Sequence, residues 1–172
     1  MRRKILVTGG AGYIGSHTVV ELYHSGYMPI IVDNLCNTSY ANILGTNQIL
    51  KTDIPFHKID CTDFNEMMSI FETYKDIYAC IHFAAYKSVS ESVENPQKYY
   101  ENNIGSTEVL LKCLEKNKFK NLIFSSSCTV YGIPDILPVS ENAPFKKAES
   151  PYAETKQKCE ILISKNLCNS VT

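Results

Sequence analysis

Residues 150–156 read SPYAETK, which sets Tyr152 four positions ahead of Lys156. On a helix, residues at that spacing share a face, so the phenol and the ammonium stand together. A phenol ionises only near pH ~10 in water and is a poor base at neutrality. A neighbouring positive charge favours the phenolate, which makes the pair a candidate proton acceptor. Of the 11 tyrosines only Tyr152 has lysine four residues on. Spacing alone is within reach of chance, so its weight depends on what else the chain supplies.

Two other clusters bear on that. The run SSSCTVYG carries Ser125, Ser126 and Ser127, and a hydroxyl both donates and accepts hydrogen bonds. Ser127 could therefore bridge a substrate oxygen and the phenol of Tyr152, which a long loop can return to it. Near the start, ILVTGGAGYIGSH spaces Gly9, Gly12 and Gly15 at the mouth of a first helix. Glycines there allow a tight turn, close approach of backbone to a pyrophosphate, and close packing of helix on strand. The phosphates would then meet amides at the helix N-terminus. Asp33, ending IIVD, stands where an acid receives the adenosine ribose hydroxyls and repels a 2′-phosphate, so NAD is read over NADP. Taken alone it reads first as a turn cap. Asp60, ending HKID, is placed for the adenine side, with a cap or turn role as open.

The elements that must position these groups follow from the pattern. Apolar runs at 4–8, 29–33, 55–60, 78–84 and 121–127 read as strands. Helices are expected at 13–25, 41–51, 63–75 and 96–117, and from Pro151 onward. The four-proline stretch 132–151 reads as a surface loop. Strands that are apolar throughout and alternate with helices indicate an α/β fold, a Rossmann-type doubly wound parallel sheet. In such a sheet ligands bind beyond the carboxyl ends of the strands, where the glycine turn and the serines both fall.

Composition narrows the classes. The 172 residues carry a formal net charge of −1, the two arginines sit together at Arg2 and Arg3, and the lysines are dispersed. That argues against a nucleic-acid-binding face. No apolar run reaches membrane-spanning length, and Ile5-Leu6-Val7 before the glycines is a buried strand rather than a signal sequence. Seven cysteines without a C-x-x-C pair fit reduced thiols of a cytoplasmic protein, with no metal site expected.

The segments TGGAGYIGSH, DNLCN, HFAAYKSVSESVENPQKYYENN, FSSSCTVYG and SPYAETK together resemble the extended short-chain dehydrogenases/reductases. Within that group the chain is most similar to the UDP-glucose 4-epimerases, through HFAAYKSVSES above all. The resemblance implies Ser127, Tyr152 and Lys156 as catalytic residues. It implies NAD as cofactor, with contacts from Gly9, Gly12, Tyr13, Ile14, Gly15, Asp33, Asn34, Asn37, Thr38 and Asp60. Phe83, Ala84, Ala85, Lys87, Asn103, Ser125, Tyr152 and Lys156 continue that set. Lys87, Ser127 and Tyr152 are the implied substrate contacts, and His82 reads as a core residue. Lys156 has two implied tasks, tuning Tyr152 and holding the nicotinamide ribose. UDP-galactose and UDP-glucose are the implied partners, in a homodimer.

The implied chemistry has no net redox change. Tyr152 takes the proton of the sugar 4-hydroxyl while hydride leaves C4 for NAD. Ser127 steadies the carbonyl, and hydride returns to the opposite face. Ala85 stands where glycine is usual, Cys128 where alanine is usual, and AET fills the Tyr–Lys spacer; none of these removes a reacting group. A 4,6-dehydratase of the same fold is the rival, but it resembles TDEVYG at the serine strand. Cys128 and Thr129 take the place of its acid pair here, and neither is a general acid near neutrality. Family members run to about twice this length. Residues 1–172 are therefore expected to form an incomplete NAD-binding Rossmann domain, ending before the C-terminal substrate-binding region. By themselves they would bind NAD weakly or not at all and lack turnover.

Overall fold

The computed structural model describes residues 2–119 and 121–168 of the chain. Asn169–Thr172, the end of the closing CNSVT, lie outside the described residues. The strands are β1 (Lys4–Thr8), β2 (Met28–Val32), β3 (Phe56–His57), β4 (Ile77–His82) and β5 (Leu122–Phe124). The helices are α1 (Tyr13–His24), α2 (Tyr40–Leu50), α3 (Phe64–Thr73) and α4 (Val89–Glu94), then α5 (Pro96–Tyr99), α6 (Gly105–Lys116) and α7 (Pro151–Cys168). The described residues form two compact units, 2–84 with 109–119 and 121–125, and 85–108 with 126–168.

The first unit holds a five-stranded parallel sheet in the order β3-β2-β1-β4-β5. The chain lays down β1, β2 and β3 in one direction and then returns to the other side of β1. That reversal is the switch point at which such sheets bind ligands. Side chains alternate along a strand, so β1 sends Ile5 and Val7 to one face and Leu6 to the other. Ile5, Val7, Ile31 and Ile81 pack with Val19 of α1 and with Ile43 and Leu50 of α2. Leu6, Ile30, Val32 and Cys80 meet Met67, Ile70 and Phe71 of α3 and Val109, Leu110, Cys113 and Leu114 of α6. Each large apolar side chain buried this way contributes about 1.5–3 kcal/mol.

The second unit is helical, with α7 packed against α4, α5 and two short turns, a π turn at Tyr100–Ile104 and a 3₁₀ turn at Cys128–Tyr131. Residues 132–150 carry neither helix nor strand, in keeping with the proline loop.

The structure departs from the expected elements in four places, one of them β5, which spans only Leu122–Phe124 of the strand expected at 121–127. The edge strand expected at 55–60 is confined to Phe56–His57, although Ile59 still donates to the Asp33 carbonyl at 3.3 Å. The helix expected at 96–117 runs without a gap over 96–116, but α5 and α6 are joined in it by the π turn at Tyr100–Ile104. Thr107 Oγ1 donates into the Asn103 carbonyl at 2.8 Å, and such side-chain insertion into the helical ladder distorts it. Helix α4 was not anticipated. Its signal was present in Ser88 followed by Glu91, a capping-box spacing, and Ser88 Oγ accepts from the Glu91 amide at 3.3 Å. It ends at Asn95, whose helical conformation is disfavoured by the proline that follows.

Thiol reactivity gives a direct check of this burial. Cys61, Cys80, Cys113 and Cys159 are buried, whereas Cys36 and Cys128 are exposed. Burial pushes the Cys113 thiol up to about 11 and those of Cys61 and Cys80 higher still. The thiolate is the reactive form. A maleimide applied to the native protein at neutral pH should modify Cys36 and Cys128 and spare the four buried thiols, as read by peptide mass mapping. Native labelling of Cys80 would contradict the packing of β4.

Candidate active site

In the first unit the site residues gather where β1 ends. Gly9 has φ +68°, and a Cβ there would come within 2.6 Å of the Ala84 nitrogen and 2.9 Å of the Phe83 carbonyl carbon. The glycine turn thus lies directly on the chain leaving β4, where Phe83 N also donates to Thr8 O at 3.0 Å. A Cβ at Gly15 would fall on the Gly9 carbonyl oxygen, so α1 starts hard against the turn. The helix is capped by Gly12, which offers no side-chain bond, and its first turn holds no acid. The positive end of α1 is therefore presented without an internal anion. Tyr13 and Ile14, on that first turn, are exposed.

Asp33 is buried at the end of β2 and accepts from Ala11 N at 3.1 Å and Leu35 N at 2.9 Å. It does cap its own turn, and it also ties β2 to the glycine turn. Each carboxylate oxygen accepts more than one bond, so capacity for an incoming hydroxyl remains. Burial pushes the Asp33 carboxyl above its ordinary value, against the two amide bonds. A raised folded value means that its contribution to stability is full below the unfolded carboxyl range, about pH ~4. That contribution is lost as pH rises through the folded value.

Asn34 Nδ2 donates to Asp60 at 3.0 Å, and Asp60 also accepts from the amide and hydroxyl of Thr62 at 2.9 and 2.7 Å. Burial would raise the Asp60 carboxyl, but these three bonds outweigh it and hold it below its usual value. The helix cap nearby is Asp63, and Asp60 holds a turn. Thr38 Oγ1 donates to Ala11 O at 2.8 Å, and Asn37 is exposed beside it. Ser125 N donates to His82 O at 3.1 Å as β5 ends. His82 is a core residue, hydrogen-bonded through Nδ1 to Thr8 Oγ1 at 2.6 Å and stacked on Phe124.

The second unit carries Ser127, Tyr152 and Lys156. Ser127 caps the 3₁₀ turn, with its Oγ accepting from Thr129 N at 3.3 Å and from Thr129 Oγ1 at 2.9 Å. That turn packs on α7, so Ser127 belongs to the same unit as Tyr152 and Lys156. Helix α7 starts where the sequence indicates, with Ser150 Oγ accepting from Ala153 N at 3.1 Å and Pro151 at the first position. Tyr152 is 8% exposed, with its ring edge-on to Tyr99 at 6.4 Å. Lys156 is 4% exposed; burial lowers its proton affinity, while Cys159 and Glu160 oppose that shift.

Asn103 is buried in the π turn, where its amide donates to Tyr86 O at 3.0 Å and Thr155 Oγ1 at 3.2 Å. It accepts from Tyr86 N at 2.8 Å and from the Asn102 amide at 3.0 Å. Its hydrogen-bonding capacity is thereby filled within the unit. Its evident effect is to fix both the 86–88 loop and the α7 turn that precedes Lys156. Ala85 is half-buried at the start of that loop. Lys87 is exposed between two anchored residues, Tyr86 and Ser88, whose amide donates to Tyr99 Oη at 3.1 Å.

Sequence reasoning missed three supporting residues. Gln157 Nε2 donates to Val130 O at 2.6 Å and Lys146 O at 2.8 Å, pinning the 3₁₀ turn and the proline loop to α7. Tyr99 backs Tyr152. Glu160 accepts from Ser126 Oγ, next to Ser127. Only Glu160 left a sequence signal, its place one helical turn beyond Lys156.

A glycine turn at the switch point of a parallel sheet, with a serine turn and a Tyr-x-x-x-Lys helix, defines the short-chain dehydrogenase/reductase class. Residues 6–167 match the family model described as GDP-mannose 4,6 dehydratase, and the chain belongs to that family, within the extended branch of the class. It is 47% identical over 167 residues to UDP-glucose 4-epimerase of Dictyostelium discoideum, covering 97% of this chain and 48% of that protein. UDP-glucose 4-epimerase of Bacillus subtilis is 45% identical over 159 residues, covering 92% of this chain and 46% of that protein. The crystal structure of UDP-glucose 4-epimerase from Bifidobacterium longum in complex with NAD+ and UDP superposes with a TM-score of 0.94. Its identity is 40%, over 97% of this chain and 50% of that one. The chain spans about half the length of the curated relatives it matches.

Proposed function

We propose that the protein is a UDP-glucose 4-epimerase, interconverting UDP-galactose and UDP-glucose with NAD as resident cofactor. The observation that carries this reading is the buried Tyr152–Lys156 pair on α7, in one unit with the serine turn, in a chain similar to epimerases along nearly its whole length. The first unit fits the cofactor. The Gly9–Ala84 approach leaves no room for a side chain where a pyrophosphate would lie, and Asp33 offers a carboxylate to a ribose. NAD, when bound, supplies the redox step by taking hydride from the sugar C4 and giving it back.

The chain's own residues do the rest. Tyr152 holds the proton of the sugar 4-hydroxyl while the carbonyl exists and returns it afterwards. Lys156 keeps positive charge near that phenol, and Ser127 offers a hydroxyl to the carbonyl oxygen. Gly9, Gly12, Tyr13, Ile14, Gly15, Asp33, Asn34, Asn37, Thr38 and Asp60 bind the adenosine and pyrophosphate half. Phe83, Ala84, Ala85, Lys87, Asn103 and Ser125 support the nicotinamide half, with Lys87 also turned to account by the sugar nucleotide. Cys128 and Thr129 supply no acid for eliminating water, which favours epimerisation over dehydration despite the dehydratase description of the family. A cytoplasmic homodimer is part of the proposal, as is the inactivity of the 172 residues alone, since the relatives have about twice the length.

The test is incubation of the complete protein with UDP-galactose and NAD. UDP-glucose is the expected product, and a 4-keto-6-deoxy sugar would establish a dehydratase instead. Asp33→Ala should weaken NAD about 10–100-fold by calorimetry, because it removes a charged acceptor of hydrogen bonds. An unchanged affinity would remove Asp33 from the cofactor site.

A further inference from the structure

The serine turn and α7 are joined by a contact that the reaction does not itself require. Ser126 Oγ donates to Glu160 Oε1, tying the residue next to Ser127 to the helix that carries Tyr152 and Lys156. Glu160 stands four residues after Lys156, on the same face of α7. Lys156 is 4% exposed, and a buried ammonium persists only with compensating negative charge or hydrogen bonds. We propose that Glu160 is a positioning residue of the proton-transfer helix. Its carboxylate fixes the Ser126–Ser127 segment on α7 and supplies the negative charge that keeps buried Lys156 protonated.

Other titratable groups around α7 are engaged elsewhere. Glu154 accepts from Tyr100 Oη at 2.7 Å and pairs with Lys158 at 2.7 Å. Glu91 of α4 pairs with Lys98 at 2.6 Å and accepts from Tyr99 Oη at 2.7 Å. These contacts hold both carboxyls below their usual range, and both phenols are pushed up to about 12. Cys159, between Lys156 and Glu160, has its thiol pushed up by burial, with Glu108 of α6 acting in the same direction. It is therefore a neutral neighbour at pH ~7. Burial pulls the Lys156 ammonium toward neutrality, and Cys159 and Glu160 act against that pull. A neutral Lys156 would no longer favour the phenolate of Tyr152.

The kinetic consequence rests on the epimerase reading; the electrostatic one does not. Two variants of the complete protein separate charge from tether. Glu160→Gln keeps an acceptor for Ser126 and removes the charge, whereas Ser126→Ala removes the tether and keeps the charge. Titration is followed through the carbon-13 signal of the lysine ε-carbon, assigned with Lys156→Arg. In Glu160→Gln the Lys156 midpoint should fall by about one pH unit or more, and in Ser126→Ala it should stay near wild type. In turnover, Glu160→Gln should lower kcat about tenfold with little change in KM, and move the alkaline limb of the profile to lower pH. An unchanged Lys156 midpoint in Glu160→Gln overturns the proposal whatever the kinetics. A shifted midpoint in a protein without epimerase activity upholds the charge pairing and overturns the function instead.

Discussion

Tyr152→Phe in the complete protein should lower kcat for UDP-galactose epimerisation by about 10²–10⁴-fold, the usual yield of a positioned proton acceptor. The substitution removes one oxygen and leaves the ring. The edge contact with Tyr99 and the burial in the first turn of α7 are therefore kept. Stability should change by less than about 1 kcal/mol, and the Thr155 bond to the residue 152 carbonyl is untouched. NAD should stay bound, because the substitution leaves the glycine turn and the Asp33 carboxylate untouched. Loss of kcat with loss of NAD would point to a structural collapse, and loss of neither would remove Tyr152 from the chemistry. Stopped assays of UDP-glucose formed, with NAD content measured on the same samples, separate these outcomes.

Gly9→Val has the opposite signature and is expected to remove folding and cofactor binding together. At φ +68° a β-branched residue is strained by about 1–2 kcal/mol before any contact is considered. Its Cβ would then meet backbone of Phe83 and Ala84, at 2.9 and 2.6 Å, which a side-chain rotation cannot relieve. Either β1 and β4 part or the turn is rebuilt. A loss above about 4 kcal/mol is expected, against a total stability of about 5–15 kcal/mol for a domain. Urea denaturation followed by circular dichroism would measure it. A variant as stable as wild type that still binds NAD would show that the turn does not rest on the β4 exit.

The fold was legible where local chemistry and tertiary packing agree. The apolar runs that became β1, β2 and β4 are flanked by a glycine turn or an acid, and their alternation with helices signals a parallel sheet, whereas the strand order is visible only in the folded chain. Helices α1, α3 and α7 begin within one residue of the starts expected for them. What escaped was set by side chains reaching back to the backbone. A π turn interrupts the regular α-helical ladder at Tyr100–Ile104, beside the Thr107 bond to the Asn103 carbonyl, and no periodicity records that bond. In the site, the types and spacings of Gly9, Gly15, Tyr152 and Lys156 were readable because each answers to a single physical demand. Asn103 and Glu160 were harder, since their role lies in partners 17 to 52 residues away, or 34 for Glu160, which only the folded chain brings together.

The central claim is that a sugar C4 loses and regains the same hydrogen while Tyr152 handles the proton. UDP-galactose carrying deuterium at C4, incubated with the complete protein and NAD in ordinary water, tests it directly. UDP-glucose that retains the deuterium at C4 is the expected result, because the abstracted hydrogen returns from the cofactor without meeting solvent. UDP-glucose with hydrogen from water at C4, or a 4-keto-6-deoxy sugar in its place, would contradict it.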